Sequence, residues 1–385
     1  MSSNAGSNAV LQQLKAALDE LGITAQVGEA AINATFFDPT NPKMTNNDSL
    51  LAAALLGETA PREQLVNLAF APPDAQRESL IQSQAFTGLN AKTFHVQTAP
   101  GVSLQAWYIK PEPGKSTILF SNGTDGDFIK SKELITQLKE EGYGILTYQY
   151  RGYGAGQGGS SGTPSEDGFY SDLNAMSRLL EKGSHQFGIQ KTSYSNQILM
   201  GYSLGGDVST RVAAQSGRLY KGLVVIDAPK SIADAFKAQA QDTDPLARQI
   251  TAPFQSGIQA AVQKLRGVFD ITKDVLRLHV PTLFVQGGQD KLALPPLARQ
   301  LYESMKYPVK SYLDIISADH NTVITNPVNA DRIANKVEQF LSHSDYCKVL
   351  QDMSSYNAHN EGGMSHFNQA ARQPDPMTLA MAGHH

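Results

Sequence analysis

Residues 197–208 of this 385-residue chain read QILMGYSLGGDV. The run QILM at its start is typical of a buried strand, and Val208 and Val212 have the spacing of an apolar helix face. Ser203 stands between the two elements, at the centre of a G-x-S-x-G motif. Glycine suits both flanking positions because the chain must reverse sharply there. This strand–turn–helix pattern predicts a nucleophile elbow, in which a strained turn exposes a serine hydroxyl above a sheet.

Outward from this motif, short apolar runs alternate with helical patterns from residue 93 onward. Such alternation predicts an α/β fold whose mostly parallel sheet is flanked by helices. Eight strands are predicted, at residues 93–98, 103–110, 116–121, 144–150, 197–202, 222–227, 282–286 and 309–316.

A helix with a marked start is predicted between the fourth and fifth strands. We expect Thr163 to be its N-cap, Pro164 its first residue and Glu166 the acidic partner of a capping box. Its apolar stripe repeats at helical spacing, at Phe169, Leu173, Met176 and Leu180. We therefore expect this helix to pack on the sheet.

Three regions do not follow the alternation. Residues 1–92 are predicted to be a helical N-terminal extension, with helices at 49–56 and 61–70 and a first helix indicated by Leu11, Leu14, Leu18 and Leu21. Residues 344–385 form a polar tail that is predicted to be flexible. The α/β domain then spans 93–343, with a helical lid insertion at about 230–280. The insertion is predicted to carry an amphipathic helix with Ile258, Val262, Leu265 and Phe269 on one face.

A serine nucleophile needs a general base, and His320 is the candidate. His320 follows the last predicted strand, in the sequence ADHN at 318–321, where a loop can carry its ring over Ser203. The other histidines lie before the required position, at the C-terminal edge or in the tail.

The base needs an acid that orients it, and two aspartates compete for this role. Asp290 follows the seventh strand through the loop QGGQ, and Asp227 ends the sixth strand. Both lie at the sheet edge that carries Ser203. We favour Asp290, because its glycine-rich loop allows the carboxylate to turn back into the site, and Asp227 stays open as the alternative.

Acyl-transfer chemistry also requires backbone N–H groups that hold a developing oxyanion. Leu204, directly after the serine, is one candidate donor. The other is Thr124, in the loop SNGTDG after the third strand. The side chains expected at the substrate are Asn122, Gly123, Tyr202, Ile258 and Val262.

Composition excludes several function classes. The 32 basic and 36 acidic residues give a formal net charge of -4, without a basic cluster for nucleic acid. Cys347 is the single cysteine, which excludes an internal disulfide. Residues 154–159 match G-x-G-x-x-G but run into SSGTP rather than into a helix, so no dinucleotide site is expected. We predict no cofactor and no metal.

The chain start MSSNAGSNAV has neither a basic nor an apolar signal region, and no apolar run reaches about 18 residues. We therefore expect a soluble cytoplasmic protein without integral membrane association, with signal-less export left open. The expected partner is a small-molecule or acyl-protein substrate. The N-terminal helices or the tail are also candidates for binding a protein partner.

Several motifs resemble, in the same order, those of α/β-hydrolase-domain proteins of the bud-emergence and protein-depalmitoylase branch. They are YRGYG at 150–154 with GTPSE at 162–166, and the segments 269–270, 281–290 and 318–321. The resemblance covers about residues 93–341 and implies an α/β-hydrolase fold with an eight-stranded sheet. The sequence differs from this branch at Asn122, where the branch usually has histidine. It also lacks the N-terminal membrane-targeting cysteines of the depalmitoylases.

The resemblance implies a serine hydrolase of the esterase, lipase or thioesterase type, since some members of the branch remove fatty acyl groups from cysteine. We expect hydrolysis of a carboxylic ester or thioester by Ser203, His320 and Asp290 through an acyl-enzyme. An acyltransferase, an amidase or peptidase, and a non-catalytic binding protein are the alternatives.

Overall fold

The computed structural model describes residues 16, 19–20, 22, 28–36, 44–69, 86–126, 128–154 and 158–342. The first helix, predicted from Leu11, Leu14, Leu18 and Leu21, lies outside the described residues. The polar tail at 344–385 also lies outside them.

A single eight-stranded sheet forms the centre of the described chain. Its strands are β1 (Lys92–Ala99), β2 (Val102–Ile109), β3 (Thr117–Ser121), β4 (Gly144–Tyr148), β5 (Gln197–Tyr202), β6 (Gly222–Ile226), β7 (Thr282–Gly287) and β8 (Lys310–Ile315). The spatial order is β1-β2-β4-β3-β5-β6-β7-β8. β2 runs antiparallel to both neighbours, whereas β3 to β8 are parallel. This is the α/β-hydrolase fold that the sequence predicts, and each predicted strand is present within two residues at either end.

The helices of the described chain fall into three groups. Those before the sheet are α1 (Glu29–Phe36), α2 (Met44–Leu56) and α3 (Arg62–Ala69). Those flanking the sheet are α4 (Phe128–Glu140), α5 (Glu166–Lys182), α6 (Leu204–Gln215), α10 (Thr272–Val275), α11 (Pro295–Ser304), α12 (Thr322–Thr325) and α13 (Pro327–Ser342). Those of the insertion are α7 (Ile232–Gln241), α8 (Pro245–Thr251) and α9 (Gln255–Lys264). Within the described ranges, no helix combines the length and the apolar character needed to cross a bilayer.

The central strands β3 to β7 are buried on both faces, which explains why they are apolar almost throughout. Successive residues of β5 point to opposite sides: Leu199 joins the core under α5 and α6, and Met200 joins the core under α4 and α13. The sheet thus fixes the serine turn at the end of a strand that is buried on both sides.

The start of α5 differs from its prediction. Ser165, not Thr163, is the N-cap, and its hydroxyl accepts a hydrogen bond from the Gly168 N–H. Pro164 instead lies against Gly152, where a β-carbon would come within 2.6 Å of the proline ring. Glu166 forms no capping box, because its carboxylate accepts hydrogen bonds from the Phe269 N–H and the Tyr170 hydroxyl.

The extension and the insertion pack on each other, and we call α1–α3 with α7–α9 the helical cap. The centre of this contact is α2, which packs on α7, α8 and α9. A β-carbon at Gly57 would overlap the Gly257 carbonyl, and one at Gly257 would overlap the Ala54 carbonyl. Glycine at both positions therefore allows the close approach. Lys264 adds hydrogen bonds to the Glu58 and Ala60 carbonyls, at 2.9 and 2.7 Å.

The apolar face predicted for the insertion does not belong to one helix. α9 ends at Lys264, and Gly267 and Phe269 turn the chain with φ of 76° and 44°. Leu265 and Phe269 therefore lie beyond the helix, where both are buried in the core on the α5 side of the sheet. The prediction of one helix with all four residues on its face is wrong. The helical spacing of the apolar residues continues through a turn at which the helix has already ended.

Candidate active site

The order of the strands reverses between β3 and β5. β3 and β5 are neighbours, but β4 follows on the outer side of β3 and β6 on the outer side of β5. The connections after β3 and β5 therefore leave in opposite directions. In open α/β sheets, ligands bind at such a point, beyond the carboxyl ends of the two strands. The loop after β3 and the turn after β5 both lie at this point.

Ser203 stands in the turn after β5 with φ 53° and ψ -126°. A positive φ is uncommon for serine, and such strain costs about 1–3 kcal/mol and clusters at functional sites. The turn is held by hydrogen bonds from the Ser203 N–H to the Ile226 carbonyl and from the Gly206 N–H to the Ser203 carbonyl. α6 begins at the next residue, so its N-terminal dipole points at the serine.

The glycines on either side of the serine have no room for a side chain. A β-carbon at Gly201 would overlap the Gly205 carbonyl, and one at Gly205 would overlap the Ser121 carbonyl at the end of β3. The strained turn is therefore pressed directly against the neighbouring strand.

Ser203, His320 and Asp290 form one chain of hydrogen bonds. The Ser203 Oγ lies 3.0 Å from Nε2 of His320, and Nδ1 of His320 lies 2.7 Å from Oδ2 of Asp290. The other Asp290 oxygen accepts hydrogen bonds from the N–H groups of Leu292 and Ala293. With a proton on Nδ1 directed at the carboxylate, Nε2 is free to accept the serine proton.

The loop that carries His320 is anchored on both sides. The Tyr202 hydroxyl donates to the His320 carbonyl at 2.7 Å, and the two rings lie 5.2 Å apart. Burial raises the pKa of Tyr202 well above its usual value, so this hydroxyl stays a donor. Partial burial would raise the pKa of Asp319, but hydrogen bonds from the Thr322 N–H and hydroxyl outweigh it and lower the pKa. Tyr202, predicted as a substrate contact, thus holds the histidine loop.

Asp227, the alternative acid, is fully buried beside the same histidine. One of its oxygens accepts a hydrogen bond of 2.7 Å from the Gly287 N–H. Asp227, Asp290 and His320 each offer an atom within 4.8 Å of the others. Burial, followed by the negative charge of Asp290, raises the pKa of Asp227 well above its usual range. The structure brings both candidate acids to the site, and Asp290 is the one hydrogen-bonded to His320.

These three residues also have the donor types of a metal site. However, backbone N–H groups and His320 already occupy both Asp290 oxygens, and Gly287 occupies one Asp227 oxygen. Three of the four carboxylate oxygens therefore already accept hydrogen bonds from protein donors, which favours a hydrogen-bonded cluster.

The loop after β3 lies against the serine. A β-carbon on Gly123 would stand 3.5 Å from the Ser203 Cβ and 3.2 Å from the Tyr202 ring. The Asn122 side chain points elsewhere, since its Oδ1 accepts from the Ser131 hydroxyl at 2.8 Å. The oxyanion roles of the Leu204 and Thr124 N–H groups, and substrate contacts of Asn122 and Gly123, stay predictions.

Two tyrosines that the site prediction missed hold this loop. The Tyr150 hydroxyl donates to the Asn122 carbonyl at 2.6 Å, and the Tyr153 hydroxyl donates to the Thr124 carbonyl at 2.7 Å. Both belong to the YRGYG motif at 150–154, which indicated a family resemblance but gave no role for either tyrosine. With these carbonyls pinned, the loop backbone has a fixed direction beside Ser203.

The lid residues of the predicted substrate site have other contacts. Ile258 is buried against Leu50 and Ala54 of α2, within the helical cap. Val262 is partly buried. Substrate contact of Ile258 and Val262 stays a prediction.

Comparison with known proteins gives a consistent picture. The family model described as serine aminopeptidase, S33, matches residues 112–254. Human alpha/beta hydrolase domain-containing protein 17B is 25% identical over 255 residues, 64% of this chain and 75% of that protein. An uncharacterised protein of Mycobacterium tuberculosis is 28% identical over 228 residues, 59% of this chain and 71% of that protein.

Two solved structures share the fold. The esterase Pf2001 of Pyrococcus furiosus gives a TM-score of 0.53 at 18% identity, covering 66% of this chain and 91% of its own. An alpha-beta hydrolase of Vibrio vulnificus gives 0.52 at 19% identity, covering 79% and 95%. Identities this low indicate the shared architecture alone.

Proposed function

We propose that the chain, which has the α/β-hydrolase fold, belongs to the depalmitoylase-type branch of that superfamily and hydrolyses carboxylic esters or thioesters with Ser203 as nucleophile. His320 is the general base, and Asp290 orients it. The observation that carries the proposal is the hydrogen-bond chain from the Ser203 Oγ through His320 to Asp290, which starts at a strained serine on a helix N-terminus.

In the proposed reaction, Nε2 of His320 takes the Ser203 proton as the oxygen attacks the substrate carbonyl carbon. The Leu204 and Thr124 N–H groups hold the resulting oxyanion. When the tetrahedral intermediate collapses, the bond to the alcohol or thiol breaks, and His320 gives its proton to that leaving group. Water, deprotonated by His320, then attacks the acyl-enzyme and releases the acid and free Ser203.

Hydrolysis of p-nitrophenyl esters and of an acyl thioester by the full chain tests this proposal. Ser203→Ala, His320→Ala and Asp290→Asn should each lower kcat, on the order of 10^4 to 10^6 for the serine and histidine and somewhat less for the aspartate. Ser209→Ala, the same substitution two turns along α6, is the matched control and should keep wild-type activity. Undiminished turnover by Ser203→Ala would contradict the proposal.

A further inference from the structure

Asp227 is a buried carboxyl that the proposed reaction does not use. It follows β6 directly with φ 43°, a left-handed conformation that is strained for aspartate. Its N–H donates to the Val285 carbonyl, and its Oδ1 accepts from the Gly287 N–H. Two backbone contacts with β7 therefore hold the side chain against the loop that carries Asp290.

The second oxygen of Asp227 has an unusual environment. It is fully buried, and in the part of the chain that the structure describes no hydrogen-bond donor reaches it. Burial without a donor strongly disfavours the charged form of a carboxyl group. Asp290, which accepts three hydrogen bonds, has the better-stabilised negative charge of the pair.

Asp227 and Asp290 each offer an oxygen within 4.8 Å of the other, and ionising both carboxyls in a buried site is unfavourable because like charges repel strongly at low dielectric. The proton belongs on Asp227, whose charge would have one donor rather than three. This assignment also provides a partner for its second oxygen, which becomes a donor instead of an unsatisfied acceptor. The raised pKa of Asp227, caused first by burial and then by Asp290, agrees with it.

We propose that Asp227 is a positioning residue: a neutral carboxylic acid whose Oδ2–H donates to the Asp290 carboxylate and holds it against His320. The inference rests on the proposed function in taking His320 as the base that Asp290 orients. Asp227 touches neither substrate nor Ser203 in this scheme, and acts through Asp290.

This arrangement should set the pH at which His320 takes up a proton. A neutral donor to Asp290 disperses the negative charge of that carboxylate, so the protonated histidine is stabilised less than beside a lone carboxylate. The titratable groups that face Asp227 come from the ends of β5 and β7, from β8 and from the loop after it: Tyr202, Asp290, Tyr312, Asp319 and His320.

The test compares Asp227→Asn with Asp227→Ala by NMR titration of the full chain labelled with 15N-histidine. The His320 signal is assigned by its loss in His320→Gln. Asparagine keeps both functions, since its amide N–H can donate to Asp290 and its oxygen can accept from Gly287. We expect the His320 titration midpoint to be unchanged in Asp227→Asn and raised by roughly half a pH unit or more in Asp227→Ala.

Each other outcome overturns the inference. A midpoint lowered in Asp227→Asn would mean that a negative charge was removed, so Asp227 is ionised. Midpoints unchanged in both variants would mean that Asp227 does not act on Asp290. If Asp227→Ala does not fold, infrared difference spectra of wild type against Asp227→Asn decide, because the inference requires a protonated-carboxyl C=O band that the variant lacks.

The titration does not depend on turnover. The expected midpoints in a protein that hydrolyses no ester would leave the Asp227–Asp290 pair standing and reject the proposed function. If ester hydrolysis is lost in Ser203→Ala and the His320 midpoint is lowered in Asp227→Asn, the proposed function stands and the Asp227–Asp290 pair is rejected.

Discussion

At the scale of single residues, buried aspartates near the sheet edge have unequal surroundings. Asp290 accepts three hydrogen bonds, whereas among the described residues neither oxygen of the fully buried Asp207 has a donor. Burial, followed by the negative charges of Glu166 and Asp270, raises the pKa of Asp207 well above its usual range. The sequence pointed to Asp290 through its loop, but gave no signal for Asp207, which lies in the first turn of a helix whose residues 204–210 are all buried.

This environment predicts a pH-dependent gain from Asp207→Asn. Above about pH 4 the unfolded chain loses the Asp207 proton while the folded protein keeps it, so wild-type stability falls as pH rises towards the folded-state pKa. Asparagine has no proton to keep. From about pH 4 upward, the free energy of unfolding of Asp207→Asn relative to wild type should rise with pH in urea titrations.

The control for this experiment is Asp331→Asn, on the exposed side of α13. The difference in free energy of unfolding between this variant and wild type should not change with pH. A difference for Asp207→Asn that is equally flat would show that Asp207 is ionised in the folded protein.

At the scale of elements, the strands were predictable because buried parallel strands give short apolar runs between turns. The contact between α2 and α9 in the helical cap was not predictable, because residues about 200 positions apart meet there through Gly57, Gly257 and Ala54. Small residues at a helix interface permit close approach without leaving a periodic pattern. The end of α9 was missed for a related reason, since the apolar spacing continued beyond the helix.

The cap contact predicts that Gly257→Ala has the opposite effect to the usual one. Alanine in place of a helical glycine normally stabilises a helix by about 1 kcal/mol. Here the added methyl group would overlap the Ala54 carbonyl, and backbone would have to move. We expect Gly257→Ala to lower the free energy of unfolding by about 1–3 kcal/mol in denaturant titrations.

Gln259→Ala is the matched control, since Gln259 lies on the same helix and is exposed. It should be neutral or slightly stabilising. A Gly257→Ala variant as stable as that control would mean that α2 and α9 do not pack at this distance.

At the scale of the whole molecule, the strand order assembles the site. Ser203, Asp290 and His320 come from three loops separated by as many as 117 positions, and the parallel sheet brings those loops to one edge. The sequence predicted these three residues from their positions after strands and from their order along the chain, and their catalytic roles stay predictions. It could not resolve how Asp227 and Asp290 share the site, nor that Tyr150 and Tyr153 hold the neighbouring loop, because these depend on side-chain directions in the folded state.

The central claim is that Ser203 is an activated nucleophile, and labelling of the purified full chain with a fluorophosphonate tests it most directly. We expect mass spectrometry of the digested protein to find the phosphonyl group on Ser203. Ser203→Ala should abolish labelling, His320→Ala should slow it strongly, and Ser209→Ala should label like wild type. An unlabelled wild-type protein, or a label that persists on another serine in Ser203→Ala, would contradict the account.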